Sequence, residues 1–545
     1  MRQLAIALGT AAALAFPGAA TATTFCVPTF HAACPDNGTN VAQPNVETAM
    51  QSNSTDGVAD RVVIDAGTFT DTGSFQTAGT DALEVVGAGR GKTFLTSSAS
   101  GNIYVVDFLG ARAITMRELT VTAPASFPDG QGAAVQVYND TLENVDVESR
   151  NAGSAGVGSI SAGGVVRGGR IYGSNGGSIT TGVDDNGALA GAITVEGVTI
   201  EGAATGVALD APQVTTDVRR VRIVGGGTGV LAVNGAFGTV DNTVVQSVTT
   251  AIDVHANSTA SPTLTLRHAT LVDTVGAGPD TALRCRVPNS NGYGSATLIV
   301  NNSIIRGYPT TYDRAAPSSP DVGDANLTIR YSNFASGGTN SGDGNVSKDT
   351  GNIYADPLFA GPEDFHLLAG SPSIDLANPA AGGALATDFD GAVRPVDGNG
   401  DGVAAADQGA YEYQPPKPPD DPGGGGGDPG GGGGDPGGGP GGDPAPDITP
   451  PLISGLAARR LSAHKGGKVS LSLSEPAAIV LTFKPSGTPT GGKKVVLSFK
   501  GVAGKNTLRV PRRKLRARRY VLSARAVDAA GNRSKAARLT LRVRR

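Results

Sequence analysis

The sequence predicts an all-β chain: a solenoid of parallel strands joined by a disordered linker to a small β-sandwich. Three observations carry this. A short phrase recurs about every 25 residues between Ile114 and Phe334, a stretch of Gly, Pro and Asp follows near residue 420, and the last hundred residues break into short alternating strands separated by turns.

Ile193 to Ile200 is a clean copy of the phrase and Leu264 to Leu271 is another. Aligned on its fifth residue, the phrase places Glu118, Asn144, Gly169, Gly197, Arg220, Asn242, His268, Asn302 and Tyr331 in one column, separated by 26, 25, 28, 23, 22, 26, 34 and 29 residues. Two residues before each stands an apolar side chain, from Met116 and Leu142 to Val300 and Ile329, with Arg167 the one exception. Three residues after comes another, from Val121 and Val147 through Tyr172 to Ile305 and Phe334. The two positions are five apart, so an unbroken strand would send them to opposite faces. A bend at the aligned residue turns both inward, and Asn or Gly at several copies suits such a bend. Strand, bend and strand, repeated, is one coil of a solenoid whose neighbours bury each other's apolar faces. The pattern resembles a right-handed parallel β-helix, the hand following from that resemblance and from the rule for parallel crossovers.

Residues 1–22 read as a secretory signal: Arg2, an apolar run from Leu4 to Phe16, and the small residues Ala20, Thr21 and Ala22. No later stretch has the roughly 20 apolar residues of a membrane span, so no transmembrane anchor is expected. Export makes a disulfide between Cys26 and Cys34 reasonable; Cys285 is left over as a buried apolar filler. Val46 to Gln51 forms a candidate helix covering the open start of the solenoid, which needs a cap. Gly87 to Thr93 imitates a phosphate loop, but Val86 stands where that motif needs Gly and no helix follows, so a turn between coils is the better reading.

Extra residues in a solenoid go into loops on one side. The widest intervals, flanking Asn302, carry Arg284, Arg286, Tyr293, Arg306, Tyr308, Tyr312, Asp313 and Arg314, a gathering of Tyr and Arg in an otherwise acidic region. Two readings stand: a cleft for a saccharide or anionic ligand, or a solvated loop with snorkelled side chains.

Residues 354–413 close the domain with Asp356-Pro357-Leu358-Phe359, Asp364 to Asp375, Asp388-Phe389-Asp390-Gly391-Ala392-Val393-Arg394-Pro395 and Asp407-Gln408-Gly409-Ala410-Tyr411-Glu412-Tyr413. This segment resembles the terminal module of secreted bacterial choice-of-anchor Q domain proteins, a resemblance that with the upstream coils covers roughly residues 26–413 of the 23–413 domain and implies no catalytic residue set. Within it, Asp397, Asn399 and Asp401 before Gly402 begin like a calcium loop, with Asp407 near the position of the bidentate acid. A structural Ca²⁺ and an unliganded run of Asx turns are the two readings.

Residues 414–447, with 15 Gly, 10 Pro and 6 Asp, cannot bury a core and read as a tether. Residues 448–545 suit a β-sandwich, and Tyr520 to Ser534 resembles the last two strands and turn of bacterial immunoglobulin-like or fibronectin type III-like domains. Charge divides with the domains: residues 23–414 carry 19 Lys/Arg against 40 Asp/Glu, residues 448–545 carry 23 against 2. A basic field of that strength favours anionic polymers, with Lys493, Lys494, Arg512, Arg513, Lys514, Arg516, Arg518 and Arg519 prominent. No recognition helix or RNA-binding signature is present, so specific nucleic-acid binding is not expected. The expected function is non-catalytic and extracellular or at the cell surface, with the basic domain held to an anionic cell-wall polymer or polysaccharide. The competing reading is a polysaccharide lyase or glycoside hydrolase working through Arg284, Arg286, Arg306 and Asp313, with Tyr293, Tyr308, Tyr312 and Arg314 lining its cleft. Polygalacturonase-like chemistry would place several carboxylates and a His-bearing loop on one face, whereas Asp184-Asp185 is an isolated pair with no Gly-His-Gly companion, and Asp253 and His255, two apart, are joined by nothing else visible.

Overall fold

A computed structural model describes residues 22–415 and 451–544 except 54, 99–103, 109–112, 124–132, 151–153, 160–163, 175–177, 186–192, 213–214, 277, 290–291, 336, 349–350, 382–384, 465, 475–476, 486–494, 503, 513 and 528–533. The signal expected at 1–22, except Ala22, and the linker beyond Pro415 lie outside these residues. Two compact units divide the chain near Asp420. Among the described residues no helix is long and apolar enough to cross a membrane.

The first unit is a parallel β-solenoid. Its strands form a 23-stranded sheet, which wraps the bend of each coil, and an 11-stranded sheet that closes it. Every pairing between strands in both sheets is parallel, as in Leu266 against Val300 and Ile252 against Leu283. The bend is real at every copy: Glu118, Asn144, Gly169, Gly197, Arg220, Asn242, His268, Asn302 and Tyr331 all have positive φ. That conformation lets a strand turn within one residue and sends the apolar residues on both sides into the same core, where Val240 and Val245 are both fully buried.

One copy is shifted from the expected alignment. Leu142 pairs with Val166 and Val147 with Ile171, so the residue equivalent to Asn144 is Gly168 rather than Gly169. Val166 and Ile171 are buried, while Arg167 and Tyr172 face outward, and the exception at Arg167 disappears. Val166 and Ile171 keep the five-residue spacing of the other copies, and the bend between them falls on two consecutive glycines with positive φ.

Val46–Gln51 forms the expected helix, capped by Asn45, whose side chain accepts from the Thr48 N–H, with Val46, Ala49 and Met50 buried. The Cys26–Cys34 disulfide is present. Cys285 is buried, and burial pushes its thiol up to about 12.

Residues 354–413 pack along the flank of the coils rather than across their end. Val244 and Val272, outward-facing on consecutive coils, meet Phe365, Ala410 and Tyr411. Ile304 meets Leu367 and Ile374. The bend residues fasten the same edge: Asn242 donates to the Thr387 carbonyl (2.6 Å) and accepts from Arg394 (2.9 Å), and Asn302 bonds both backbone groups of Asn378.

Among the described residues the second unit has seven antiparallel strands: β1 (Ile453–Ser462), β2 (Gly466–Leu473), β3 (Ala478–Pro485), β4 (Val495–Lys500), β5 (Gly504–Val510), β6 (Arg519–Val527) and β7 (Ala537–Arg542). Sheets β1-β2-β5 and β4-β3-β6-β7 share one apolar core that includes Val469, Leu471, Ile479, Phe483 and Leu522. Alternation of buried and exposed residues along β5, and of half-buried and exposed residues along β7, is what a two-sheet sandwich demands.

Candidate functional site

The outer face of the solenoid strands that precede each bend carries an ordered column of charge. With the residue two before the bend pointing inward, the residue one before it must point out. In register, that column reads Arg117 against Glu143, Glu143 against Arg167, and Arg167 against Glu196. It continues with Glu196 against Arg219, Arg219 against Asp241, and Asp241 against Arg267, then Asn301 and Arg330. Cation and anion thus alternate over seven coils. A parallel column two residues earlier is mostly threonine, Thr115, Thr141, Thr194, Thr239, Thr265 and Thr328.

Hydrogen bonds run along this column. Arg117 donates to Glu84 (2.7 Å), Arg167 to Glu196 (3.1 Å), and Arg267 to the buried Asp241 (2.6 Å). Arg219 pairs with Asp217 (2.6 Å) and Arg220 with Glu196. Burial alone would raise the Glu196 carboxyl, but Arg167 and Arg220 outweigh it and hold it below the usual range. The Asp241 carboxylate keeps the Arg267 guanidinium firmly charged.

Where residues 385–387 approach this face they wall off a cleft of about 270 Å³, lined by Glu196, Arg219, Arg220, Asp241, Asn242 and Arg267. Three guanidinium groups and two carboxylates converge there, a set able to bind an anion and polar hydroxyls together. Sequence reasoning placed no site at this face.

The Tyr and Arg residues expected in a loop cleft are mostly on strands and do not assemble into one site. Arg284, Arg286 and Asp313 lie on the outer face of the 11-stranded sheet, where Asp253, Arg284 and Asp313 follow one another in register. Asp253 accepts from Arg284 (3.2 Å) and is 3.2 Å from His255 Nδ1, Arg286 pairs with Asp313, and Thr339 donates to Asp313 (2.6 Å). Arg306 sits on the other sheet, donating to Asn333 and to the carbonyl of Ala355. Tyr308 and Tyr312 are in the core, Tyr293 is half-buried against it, and Arg314 is 2% exposed. Arg314 donates to Asn340 and to the carbonyls of Asp343 (2.5 Å) and Gly342 (3.0 Å), holding the last coils together. The extra length does lie between the strands Thr270–Val272, Thr281–Arg286 and Ala296–Asn301, but most of the Tyr and Arg residues are on strands instead, and apolar ring area drew Tyr308 and Tyr312 inward.

Asp185 is buried, accepting from the Asp210 N–H (2.5 Å) and Thr216 (3.0 Å), and burial pushes it up to about 6. The carboxylate of Asp397 accepts backbone N–H groups of Gly400 (2.8 Å), Asp401 (3.2 Å) and Gly402 (2.9 Å). Asn399 accepts from Asp401 N–H (2.8 Å). Asp407 does not join Asp397, Asn399 and Asp401: it is buried, and its carboxylate accepts from the N–H groups of Asp375 and Tyr413. The loop oxygens are turned to the backbone, as in a run of Asx turns, and among the described residues no group of three or more His, Cys, Asp or Glu is placed to hold a metal ion.

No protein-family model matches the chain, and no curated protein matches it. Among solved structures, the chain is similar to the A-module of mannuronan C-5 epimerase AlgE6 from Azotobacter vinelandii, at 12% identity over 57% of this chain and 96% of that one, TM-score 0.30. It is similar to a point mutant of the PL6 family alginate lyase AlyGC, at 14% identity over 57% of this chain and 49% of that one, TM-score 0.28. ORF18 of Geobacillus virus E2 follows at 11% identity, 47% and 55% coverage and TM-score 0.20.

In the second unit, Arg512, Lys514, Arg516 and Arg519 are exposed and Arg518 is half-buried, while Lys493, Lys494 and Arg513 lie outside the described residues. Strand pairing adds Arg542 and Arg509 to the cations that charge counting singled out. Arg519 on β6 faces Arg542 on β7 directly, and Lys468 on β2 faces Arg509 on β5, all four exposed.

Proposed function

We propose that this chain is a secreted, non-catalytic protein of the extracellular space or cell surface, whose basic second unit attaches it to an anionic polymer. The observation that carries the reading is the direct cross-strand opposition of cations on both sheets, Arg519 with Arg542 and Lys468 with Arg509. Like charges so placed are destabilising by a fraction of a kcal/mol, up to about 1 kcal/mol per pair. Both pairs lie within residues 448–545, which hold 23 cationic and 2 acidic residues, so a polyanion relieves repulsion that the fold itself leaves in place. The finer resemblance of this unit to fibronectin type III-like domains is supported by Tyr520 on the sixth strand, whose hydroxyl accepts from the Arg516 N–H (3.1 Å) just upstream, as a tyrosine corner does. For the choice-of-anchor-type closing module, support comes from its motif residues: Arg394 reaches Asn242 and the Asp407 carbonyl meets His268 on the coils, while Glu412 bonds both Arg394 and the Asp407 N–H.

Catalysis at the Arg284 cluster would need a base free to take a proton, and Asp253 and Asp313 already accept from arginines there. Two measurements test the reading. Deleting residues 448–545 should abolish retention on cell-wall material at low salt, and rising salt should release the full chain; unchanged retention sinks it. Reducing-sugar and unsaturated-product assays on acidic and neutral polysaccharides should show no turnover, whereas turnover lost on Arg284→Gln would establish the lyase or hydrolase reading instead.

A further inference from the structure

We infer that the outer face of the solenoid's first strands binds a linear acidic glycan in which charged and neutral sugars alternate, laid along the solenoid axis with each anionic group on an arginine rung. Arg117, Arg167, Arg219 and Arg267 occupy every second rung, with Glu143, Glu196 and Asp241 between them. Rungs are about 4.8 Å apart, so the arginines repeat at roughly 9.6 Å. This repeat selects among polymers. An extended peptide brings side chains back to one face every ~6.8 Å, and a nucleic-acid strand carries a phosphate every ~3.4 Å; both fall out of step within two contacts. The two-sugar repeat of an extended glycan is of the right order.

The intervening carboxylates decide the charge pattern. They accept hydrogen bonds from sugar hydroxyls but repel a second anionic group, so a polymer charged at every sugar meets a carboxylate at alternate rungs. The threonine column alongside supplies further hydroxyl partners. The ion pairs already on this face do not forbid binding. Arg167 and Arg219 have side chains 51% and 49% exposed, against 19% and 24% for their partners Glu196 and Asp217, so each guanidinium keeps N–H donors in solvent that a ligand anion can take without breaking the pair. At the Arg219 to Arg267 rungs the cleft against residues 385–387 gives the chain a second wall.

The site is separate from the basic unit, and the test keeps the two apart. Full-length protein carrying Arg167→Gln and Arg219→Gln is titrated with hyaluronan fragments, whose charged and neutral sugars alternate, and with polygalacturonate, charged at every sugar. The expected result is at least a tenfold loss of hyaluronan affinity with polygalacturonate binding, taken by the basic unit, unchanged. No loss, or an equal loss for both polymers, overturns the inference. Thermal unfolding checks that these half-exposed substitutions leave the fold intact. In the converse variant, Glu143→Gln with Glu196→Gln should tighten polygalacturonate binding; no change overturns the selectivity. If sedimentation shows a dimer that the arginine variant dissolves while hyaluronan affinity is unmoved, the face pairs with a second copy of this chain and the glycan assignment falls.

Discussion

Asn302 has a φ of 53° and is fully buried, so its conformation and its hydrogen bonds must be provided together. Its carboxamide donates to the Asn378 carbonyl (3.1 Å), accepts from the Asn378 N–H (2.9 Å) and faces His268 Nε2 (3.3 Å). His268 Nδ1 sits 3.0 Å from the Asp407 carbonyl and so donates to it, leaving Nε2 to accept; burial and then Arg394 drive the pKa of this imidazole well down, consistent with a neutral ring. Asn302→Ala orphans these partners and puts alanine in a left-handed conformation, which should cost about 2–4 kcal/mol in urea unfolding. Arg220→Asn, at a half-exposed bend with φ 51°, should stay within about 0.5 kcal/mol, and equal costs for the two would refute the distinction. At this scale the bends were legible, because the apolar residues around each one have an odd spacing that only a reversal can bury. The charge column was legible too, yet stayed hidden. Aligning the third copy on Gly169 instead of Gly168 put a glycine where Arg167 belongs and broke the alternation from Arg117 to Arg267.

At the scale of elements, residues 354–413 are held to the coils by a buried lattice centred on Arg394. Its guanidinium pairs with Glu412 (2.8 Å), both side chains almost wholly buried, and reaches Asn242 (2.9 Å) and the Gly409 carbonyl (3.1 Å). Glu412 in turn accepts the N–H groups of Asp407 (2.9 Å) and Val396 (2.8 Å). Arg394→Ala leaves the carboxylate buried without its cation, which should cost about 3–5 kcal/mol. Because coils contact chiefly their neighbours, the loss should be local: amide exchange in 388–412 accelerates before that of the strands at 263–267 and 296–301. Unchanged protection in 388–412 would show that apolar contacts alone hold the segment. A sequence pattern announces such a segment through its recurring Asp, Arg and Gly but not where it docks, since docking depends on partners some 150 residues away, as Arg394 and Asn242 are. The tyrosine and arginine gathering failed as a site for the same reason: proximity in sequence sent Tyr312 and Arg314 inward while Asp313 went out.

For the whole first unit, acidity should stabilise, and the sign follows from three groups. Asp407 is pushed up to about 7 by burial and then by the Glu412 charge, and Asp185 to about 6 by burial, both from an ordinary 3.8. Each folded carboxyl therefore holds its proton longer than the unfolded one, so folding takes up protons and stability declines as pH rises from about 4 to 7. His366 loses solvation on burial, but its bonds to Asp364 (2.6 Å) and Asp390 (2.8 Å) outweigh that and raise it to about 9. Its contribution is complete below pH 6.5 and fades as pH climbs through 9. Opposing groups act lower on the scale. Glu196, Glu148 and Asp313, all held below their usual range, give stability that vanishes only as pH falls beneath the ordinary carboxylate values. Relief of repulsion among 40 acidic residues adds to the first trend. The solenoid's Tm should thus decline steadily from pH 5 to pH 9 in calorimetry, and Asp407→Asn should flatten the part of the slope between pH 5 and 7. A Tm that rises across this range would mean that Asp407 ionises freely in the folded chain, and the packing of residues 388–412 around it would have to be looser than its bonds to Asp375 and Tyr413 require.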